Sequence, residues 1–300
     1  MDVIQCNNLT KTFGRMTALH NLSFTIAENT ITGLIGRNGA GKTTLLKIIA
    51  GFIHRTSGEI QVFSEDPFNS LKVSSNMIFV DDNMPLPSFL SLGDLLASAS
   101  SFYKNWDWDL SLGLFAYFDF KENQLYRSLS KGKKSTFNMI IGLASRCPLT
   151  IFDEPTTGMD SAVRKDFYRA LLKDYIAHPR TIILSTHLLN EIEDILEDVL
   201  LIHQGEKRLH MPISDLKEFA VGLRGKTDLV NELARDKEVF YEERVGKDHS
   251  YLVVKNRFGE GILEPAKIQG IEVSSVATDD LCVYLTGKSK GGIDDVFRRG

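Results

Sequence analysis

Short apolar runs separated by turn-prone residues open the chain. Val3 and Ile4, residues 22–26 and residues 31–35 carry β-branched and large apolar side chains interrupted by polar ones, which predicts strands. At Gly36 the pattern changes. A glycine-rich turn leads into residues 43–50, where Leu45, Leu46, Ile48 and Ile49 suit a buried helix and Gly51 is placed to end it. Pro85 and Pro87 then open a loop, and Ser91 or Asp94 can start another helix. After Lys131, Phe137, Ile140, Ile141 and Ala144 recur at i, i+3, i+4 and i+7, which predicts a further helix. Residues 149–152 and 181–184 form apolar runs of strand length, with a helical segment between them. Residues 199–202 make a last strand before Gly205. Alternation of strand and helix predicts a mainly parallel sheet.

Beyond about residue 212 the texture becomes more charged. Residues 239–241 and 251–254 read as strands and residues 227–235 as a helix. A chain of 300 residues suits two domains. The expected division is 1–212, with a helical subdomain at about 83–145, followed by 213–300 as a small α+β domain without a chemical motif. The glycine- and lysine-rich stretch 287–292 is expected to be mobile. Residues 102–120 are dense in aromatics: Phe102, Tyr103, Trp106, Trp108, Phe115, Tyr117, Phe118 and Phe120. Such a stretch supplies either the core of a helical subdomain or a docking surface for another protein.

Composition narrows the class. Hydrophobic residues at 43% and charged residues at 25% exclude a disordered or fibrous chain. The net charge of -4 leaves no basic excess for phosphates, so nucleic acid is not expected as the main partner. No apolar run approaches bilayer length, and Met1-Asp2-Val3-Ile4 lacks the basic start of a secretory signal. The three cysteines, Cys6, Cys147 and Cys282, are far apart and form neither a disulfide framework nor a metal-ligand spacing.

Two segments carry chemistry. Gly36-Arg37-Asn38-Gly39-Ala40-Gly41-Lys42-Thr43 fits the phosphate-binding loop in full, between a strand and a helix. Its glycines let backbone N–H groups converge on anionic oxygens, and the following helix points its positive end at the same place. Lys42 can reach the terminal phosphates of ATP and the Thr43 hydroxyl can bind Mg2+, with Thr44 next in the nucleotide-binding set. The second segment is an apolar strand ending in Asp153 and Glu154. Side chains alternate along a strand, so the two carboxylates take different roles. Asp153 suits the metal shell, and Glu154 suits a general base acting on water at the γ-phosphate.

The chain here resembles the ABC-type ATPases. Leu129-Ser130-Lys131-Gly132-Lys133 is similar to their signature motif. Residues 153–160 are similar to the Walker B strand end running into the D-loop, and His187 in Ser185-Thr186-His187 matches the switch histidine. Phe13 stands where the family has an adenine-stacking aromatic. The resemblance spans about residues 1–210. It implies an ABC-type P-loop fold: a mainly parallel core sheet, an N-terminal antiparallel β subdomain and a helical signature subdomain, followed here by the small α+β domain. It also implies ATP and Mg2+ as ligands, with ATP sandwiched between two copies or between this chain and a related one. Ser130 and Gly132, at a helix N-terminus, then serve the γ-phosphate of the opposite subunit. His187 holds that phosphate and the attacking water in line.

The implied setting is the cytoplasmic face of the membrane, with this chain as the ATPase subunit beside separate transmembrane subunits. The form resembles bacterial exporter-type ATPases, including the YtrB-like group. A soluble ATPase acting on ribosomes or DNA, and a regulatory ATP-binding module, are the alternatives. Two features depart from the family pattern. Lys131 and Lys133 replace the usual glycine and glutamine of the signature. Asp82, or Asp81 one residue earlier, stands where the Q-loop has glutamine, so Asp82 is a candidate contact to the metal.

Overall fold

Two long strands begin the computed structural model, which describes residues 1–258 and 263–287. β1 (Asp2–Phe13) and β2 (Met16–Ala27) form an antiparallel hairpin around Gly14 and Arg15. Sequence patterning marks only fragments of them. Register shifts near Ile4, Leu9 and Lys11 interrupt the pairing, and each shift breaks the two-residue alternation on which strand recognition depends. The chain continues through β3 (Ile31–Ile35), α1 (Lys42–Ile49), β4 (Ser57–Val62), α2 (Leu71–Ser75) and β5 (Met77–Val80). β4 returns to β1, giving a three-stranded antiparallel sheet in the order β2-β1-β4.

Three helices follow: α3 (Leu92–Phe102), α4 (Trp108–Tyr117) and α5 (Lys131–Ala144). Each starts at a side-chain cap that satisfies an otherwise unpaired N–H. Ser91 Oγ accepts from Asp94 N at 3.1 Å, Asp107 Oδ1 from Leu110 N at 2.7 Å, and Ser130 Oγ from Lys133 N at 3.3 Å. The aromatic stretch divides between core and surface. Phe115 and Phe120 pack on Phe137 of α5 with ring centroids 6.4 and 5.8 Å away, whereas Phe102, Trp108 and Tyr117 are exposed.

β6 (Leu149–Asp153), α6 (Ser161–Ala177), β7 (Thr181–Thr186), β8 (Asp198–His203) and β9 (Glu206–Pro212) complete a six-stranded sheet in the order β5-β6-β7-β3-β8-β9. The pairs from β5 through β8 are parallel. β3, β6 and β7 are buried along their whole length, as parallel strands covered on both faces require. Leu45, Leu46 and Ile49 of α1 join Leu34, Ile151, Ile183 and Leu200 in one core cluster, while Phe152 meets Phe167 of α6 with ring centroids 5.5 Å apart. Asp174 of α6 lies 3.0 Å from Arg146 and 2.8 Å from Arg180, and Arg146 lies 2.7 Å from Asp107 at the start of α4. Opposite charges offset one another in this buried group, which ties the helical segment to the sheet.

The chain divides into two units, Met1–His210 and Met211–Gly300. The second contains α7 (Ile213–Lys217), β10 (Ala220–Lys226), α8 (Thr227–Ala234), β11 (Val239–Val245), β12 (His249–Lys255), α9 (Leu263–Ile268), β13 (Glu272–Ser275) and α10 (Thr278–Thr286). Its antiparallel sheet runs β11-β12-β10-β13, a split β-α-β-β-α-β arrangement around Val221, Leu223, Val230, Leu252 and Val254. The stretch expected to be mobile lies, after Gly287, outside the described residues. All three cysteines are buried, and burial pushes the thiols of Cys6, Cys147 and Cys282 up to about 12, 11 and 12, so they are inert at neutral pH.

Gly142 sets the approach of α5 to the sheet. A Cβ there would lie 2.7 Å from the Phe152 ring and 2.8 Å from a Val80 methyl. Gly142→Val is therefore expected to destabilise the protein by about 1–3 kcal/mol through overpacking. The check is a lowered denaturant midpoint with an unchanged slope.

Candidate functional site

β3, β6 and β7 end at one level of the sheet. Ile35 lies opposite Thr186, and Asp153 lies opposite Ser185. The residues that leave these ends are the phosphate loop, Glu154 and His187, so three distant segments of sequence converge. Gly41 caps α1 with φ of 105°, a backbone conformation that disfavours any side chain, and thereby turns the helix start toward the loop. A cavity of about 510 Å³ opens there, lined by residues 37–44 with Met16, Thr17, Ala18, Glu154 and Gln204.

Lys42 is 6% exposed. A buried ammonium is costly unless partnered. Its Nζ donates to the Gly36 carbonyl at 2.6 Å and lies 3.1 Å from Glu154 Oε1. That second contact is an ion pair without hydrogen-bond alignment, and Glu154 Oε1 is buried with no aligned donor. Glu154 Oε2 is 3.0 Å from His187 Nδ1. Beside a carboxylate the imidazole proton belongs on Nδ1, which leaves Nε2 as the ring's other polar atom.

Glu154 has φ of +47°, unusual for a residue with a side chain and costing roughly 1–2 kcal/mol. Three contacts hold it. Its N–H donates to Ser185 Oγ at 2.9 Å and to the Ser185 carbonyl at 3.3 Å, and its carbonyl accepts from Thr157 Oγ1 at 2.9 Å. Ser185 Oγ in turn donates to Asp153 Oδ1. One serine thus holds the Asp153 carboxylate and the Glu154 backbone together, and its hydroxyl carries no acid or base chemistry that marks it in the sequence.

Asp153 is buried at the end of β6, and Thr43 lines the cavity. A hydroxyl and one carboxylate, with phosphate oxygens from a nucleotide, make a hard-oxygen donor set that fits Mg2+, which keeps much of its water and needs few protein ligands. No group of three or more His, Cys, Asp or Glu is arranged for a metal among the described residues.

Several expected residues fall outside the cavity. Phe13 is nearly half exposed at the hairpin end, with Lys11 Nζ 4.7 Å from its ring centroid, and its cross-strand partner Met16 provides the apolar wall. Ser130 and Gly132 sit at the start of α5 and do not line the cavity. Asp82, expected near the metal, instead lies 3.0 Å from Lys131 Nζ. Neither Asp81 nor Asp82 lines the cavity. Val80 pairs with Phe152, so Asp81 follows at the level of Asp153. Burial, together with the neighbouring Asp82 and Asp153, raises its carboxyl above the usual range, against the pull of the Asn83 N–H and Lys47. Met16, Thr17, Ala18 and Gln204 were not legible as site residues. The turn signals beside them, Gly14-Arg15 and Gln204-Gly205, are the cues available.

A family model described as ABC transporter matches residues 19–157. Bacitracin transport ATP-binding protein BcrA of Bacillus licheniformis is 30% identical over 300 residues, covering 95% of this chain and 97% of that protein. ABC transporter ATP-binding protein YtrB of Bacillus subtilis (strain 168) is 26% identical over 255 residues, covering 85% and 87%. A solved dimeric ATP-binding cassette in a post-hydrolysis state with ADP and Pi shares the fold, with a TM-score of 0.62 at 21% identity over 70% of this chain and 98% of that chain. This chain belongs to the ATP-binding subunits of ABC transporters, whose common activity is binding and hydrolysing ATP. The similarity to BcrA runs through nearly the whole chain, second unit included.

Ser185→Ala would strip Asp153 of a donor and Glu154 N–H of an acceptor. ATP hydrolysis is expected to fall about tenfold, with stability lower by about 1–3 kcal/mol because buried polar groups lose partners. Steady-state ATPase assays and thermal melts check both values.

Proposed function

We propose that the chain powers a bacterial exporter from the cytoplasmic face of the membrane, as the ATPase partner of separate transmembrane subunits. The observation that carries the reading is the convergence of Lys42 and Glu154 on one cavity, with His187 Nδ1 3.0 Å from Glu154 Oε2 and Glu154 Oε1 buried and free of any aligned donor. The relation to a bacitracin transport subunit supports the exporter assignment. No helix of the described residues is long and apolar enough to cross a membrane, so in this reading the spans belong to other chains.

The phosphate loop, with Gly36, Arg37, Asn38, Gly39, Ala40, Gly41, Lys42, Thr43 and Thr44, receives the triphosphate. Incoming phosphates take over Lys42 from Glu154, which releases the carboxylate to bind the attacking water. Glu154 accepts that water's proton, and its strained backbone keeps the carboxylate aimed at the reaction. His187 holds Glu154 in place and faces the γ-phosphate. Thr43 and Asp153 would hold Mg2+, which would supply charge neutralisation for the triphosphate. Phe13 or its partner Met16 covers the adenine. Ser130 and Gly132, set apart from their own cavity, act on ATP held by a second subunit, as the dimeric cassettes with this fold suggest.

Glu154→Gln is expected to bind ATP with near wild-type affinity and to lose hydrolysis by about 10²–10⁴-fold, since an amide cannot accept the proton. Calorimetry and phosphate release measure the two. Lys42→Ala is expected to abolish binding, because backbone amides alone cannot replace its charge. Near-normal affinity in that variant would overturn the loop assignment. Ser130→Arg chains are expected to be inactive alone and to recover activity when mixed with Lys42→Ala chains, one intact composite site being restored. A fully active Ser130→Arg homodimer would remove the role assigned to that serine.

A further inference from the structure

Two of the positions at which this chain departs from the family pattern meet each other in space. Lys131 replaces the usual signature glycine and Asp82 stands near the Q-loop glutamine, and their Nζ and Oδ2 lie 3.0 Å apart. The other carboxylate oxygen, Asp82 Oδ1, accepts from Asn83 Nδ2 at 2.6 Å. A second link lies alongside: Asn138 Nδ2 of α5 donates to the Asp81 carbonyl at 3.0 Å, and Tyr126 Oη donates to Asn138 Oδ1 at 3.0 Å. The segment leaving β5 is therefore fastened to α5 by one neutral and one charged contact.

The opposite side of the first turn of α5 rests on the segment after Glu154. A Cβ on Gly132 would lie 2.4 Å from the Gly158 carbonyl, and the Lys131 stem passes 3.3 Å from where a Cβ on Gly158 would sit. Ser135 Oγ donates to the Thr157 carbonyl at 3.0 Å, and Thr157 Oγ1 donates to the Glu154 carbonyl at 2.9 Å. Lys131 thus spans two structures, its stem against Gly158 and its ammonium on Asp82. A contiguous set of contacts leads from Asp82 to the backbone of Glu154.

We propose that Asp82 and Lys131 form a positioning link that holds the start of α5 between the end of β5 and the Glu154 segment, so that Asp82 serves ATP hydrolysis through Lys131 rather than as a metal contact. The inference rests on the hydrolytic reading of Glu154. The pair is specific to a chain with both substitutions, because glycine at the signature position offers nothing for Asp82 to hold. Its charges are partly exposed, with side-chain exposures of 29% for Asp82 and 60% for Lys131, so the link is modest in strength and weakened by salt.

The test is a double-mutant cycle on the full-length chain, read by ATPase kcat, KM for ATP and Mg2+ dependence. Asp82→Asn and Lys131→Met are each expected to lower kcat about three- to fivefold, leaving KM and Mg2+ dependence unchanged. The double variant is expected to be no worse than either single one, and Lys131→Arg to retain the wild-type rate. Exchanging the charges, with Asp82→Lys and Lys131→Asp together, is expected to recover part of the rate lost in either single reversal. At high salt the differences are expected to shrink. Multiplicative losses in the double variant would overturn the link, as would a change in Mg2+ dependence confined to Asp82→Asn, which would return Asp82 to the metal. Glu154→Gln assayed alongside separates the two levels: hydrolysis there at close to the wild-type rate overturns the hydrolytic reading itself. Thermal melts of every variant distinguish a lost link from a lost fold, since a purely structural pair would move the melting temperature and leave kcat of the folded protein unchanged.

Discussion

Lys42 is an ammonium at the floor of a cavity, almost fully removed from solvent, and the surrounding structure is arranged around keeping it there. Burying one unpaired cation costs several kcal/mol. The Gly36 carbonyl and the Glu154 carboxylate offset that cost. Both partners come from strand ends, and the parallel register places those ends together, with Ile35 opposite Thr186 and Asp153 opposite Ser185. A slip of one residue between β6 and β7 would separate Glu154 from His187 and would detach Ser185 from Asp153. The fully buried strands forbid such a slip, since it would disrupt the side-chain packing on both faces of the sheet. Core packing and site chemistry are in this sense one constraint.

In the proposed function the same ion pair gives the site two states without a large rearrangement. Phosphate oxygens and Glu154 compete for Lys42. In the proposed function, arrival of ATP both satisfies the lysine and frees the carboxylate. The left-handed backbone at Glu154, held by Ser185 and Thr157, keeps the carboxylate in place through that exchange. The start of α5 rests on residues 157 and 158, just beyond Glu154.

Local contiguous patterns were legible before the structure. The phosphate loop, the apolar strand ending in Asp153 and Glu154, and the repeat of apolar residues in α5 each sit within one short window, where periodicity and glycine placement speak directly. The long hairpin was not, since register shifts in β1 break its alternation. Nor were Met16 and Gln204, which reach the cavity from turns far away in sequence and carry no chemistry that marks them. The choice between Asp81 and Asp82 turns on register at the end of a four-residue strand. Sequence spacing leaves that open to one residue, and the pairing of Val80 with Phe152 sets Asp81 at the level of Asp153 with Asp82 one residue beyond. The contact between Asp82 and Lys131 joins residues about 50 positions apart and was visible beforehand only as two separate departures from a family pattern.

In the proposed function two chains share each ATP, the phosphate loop of one facing Ser130 and Gly132 of the other. Sedimentation of the Glu154→Gln variant with saturating ATP and Mg2+ tests it most directly, because blocked hydrolysis leaves the sandwich no route to open. The expected result is a nucleotide-dependent species of about twice the 33.6 kDa chain mass, reverting when ATP is removed. A variant that binds ATP stoichiometrically and still sediments as a 33.6 kDa monomer would contradict it.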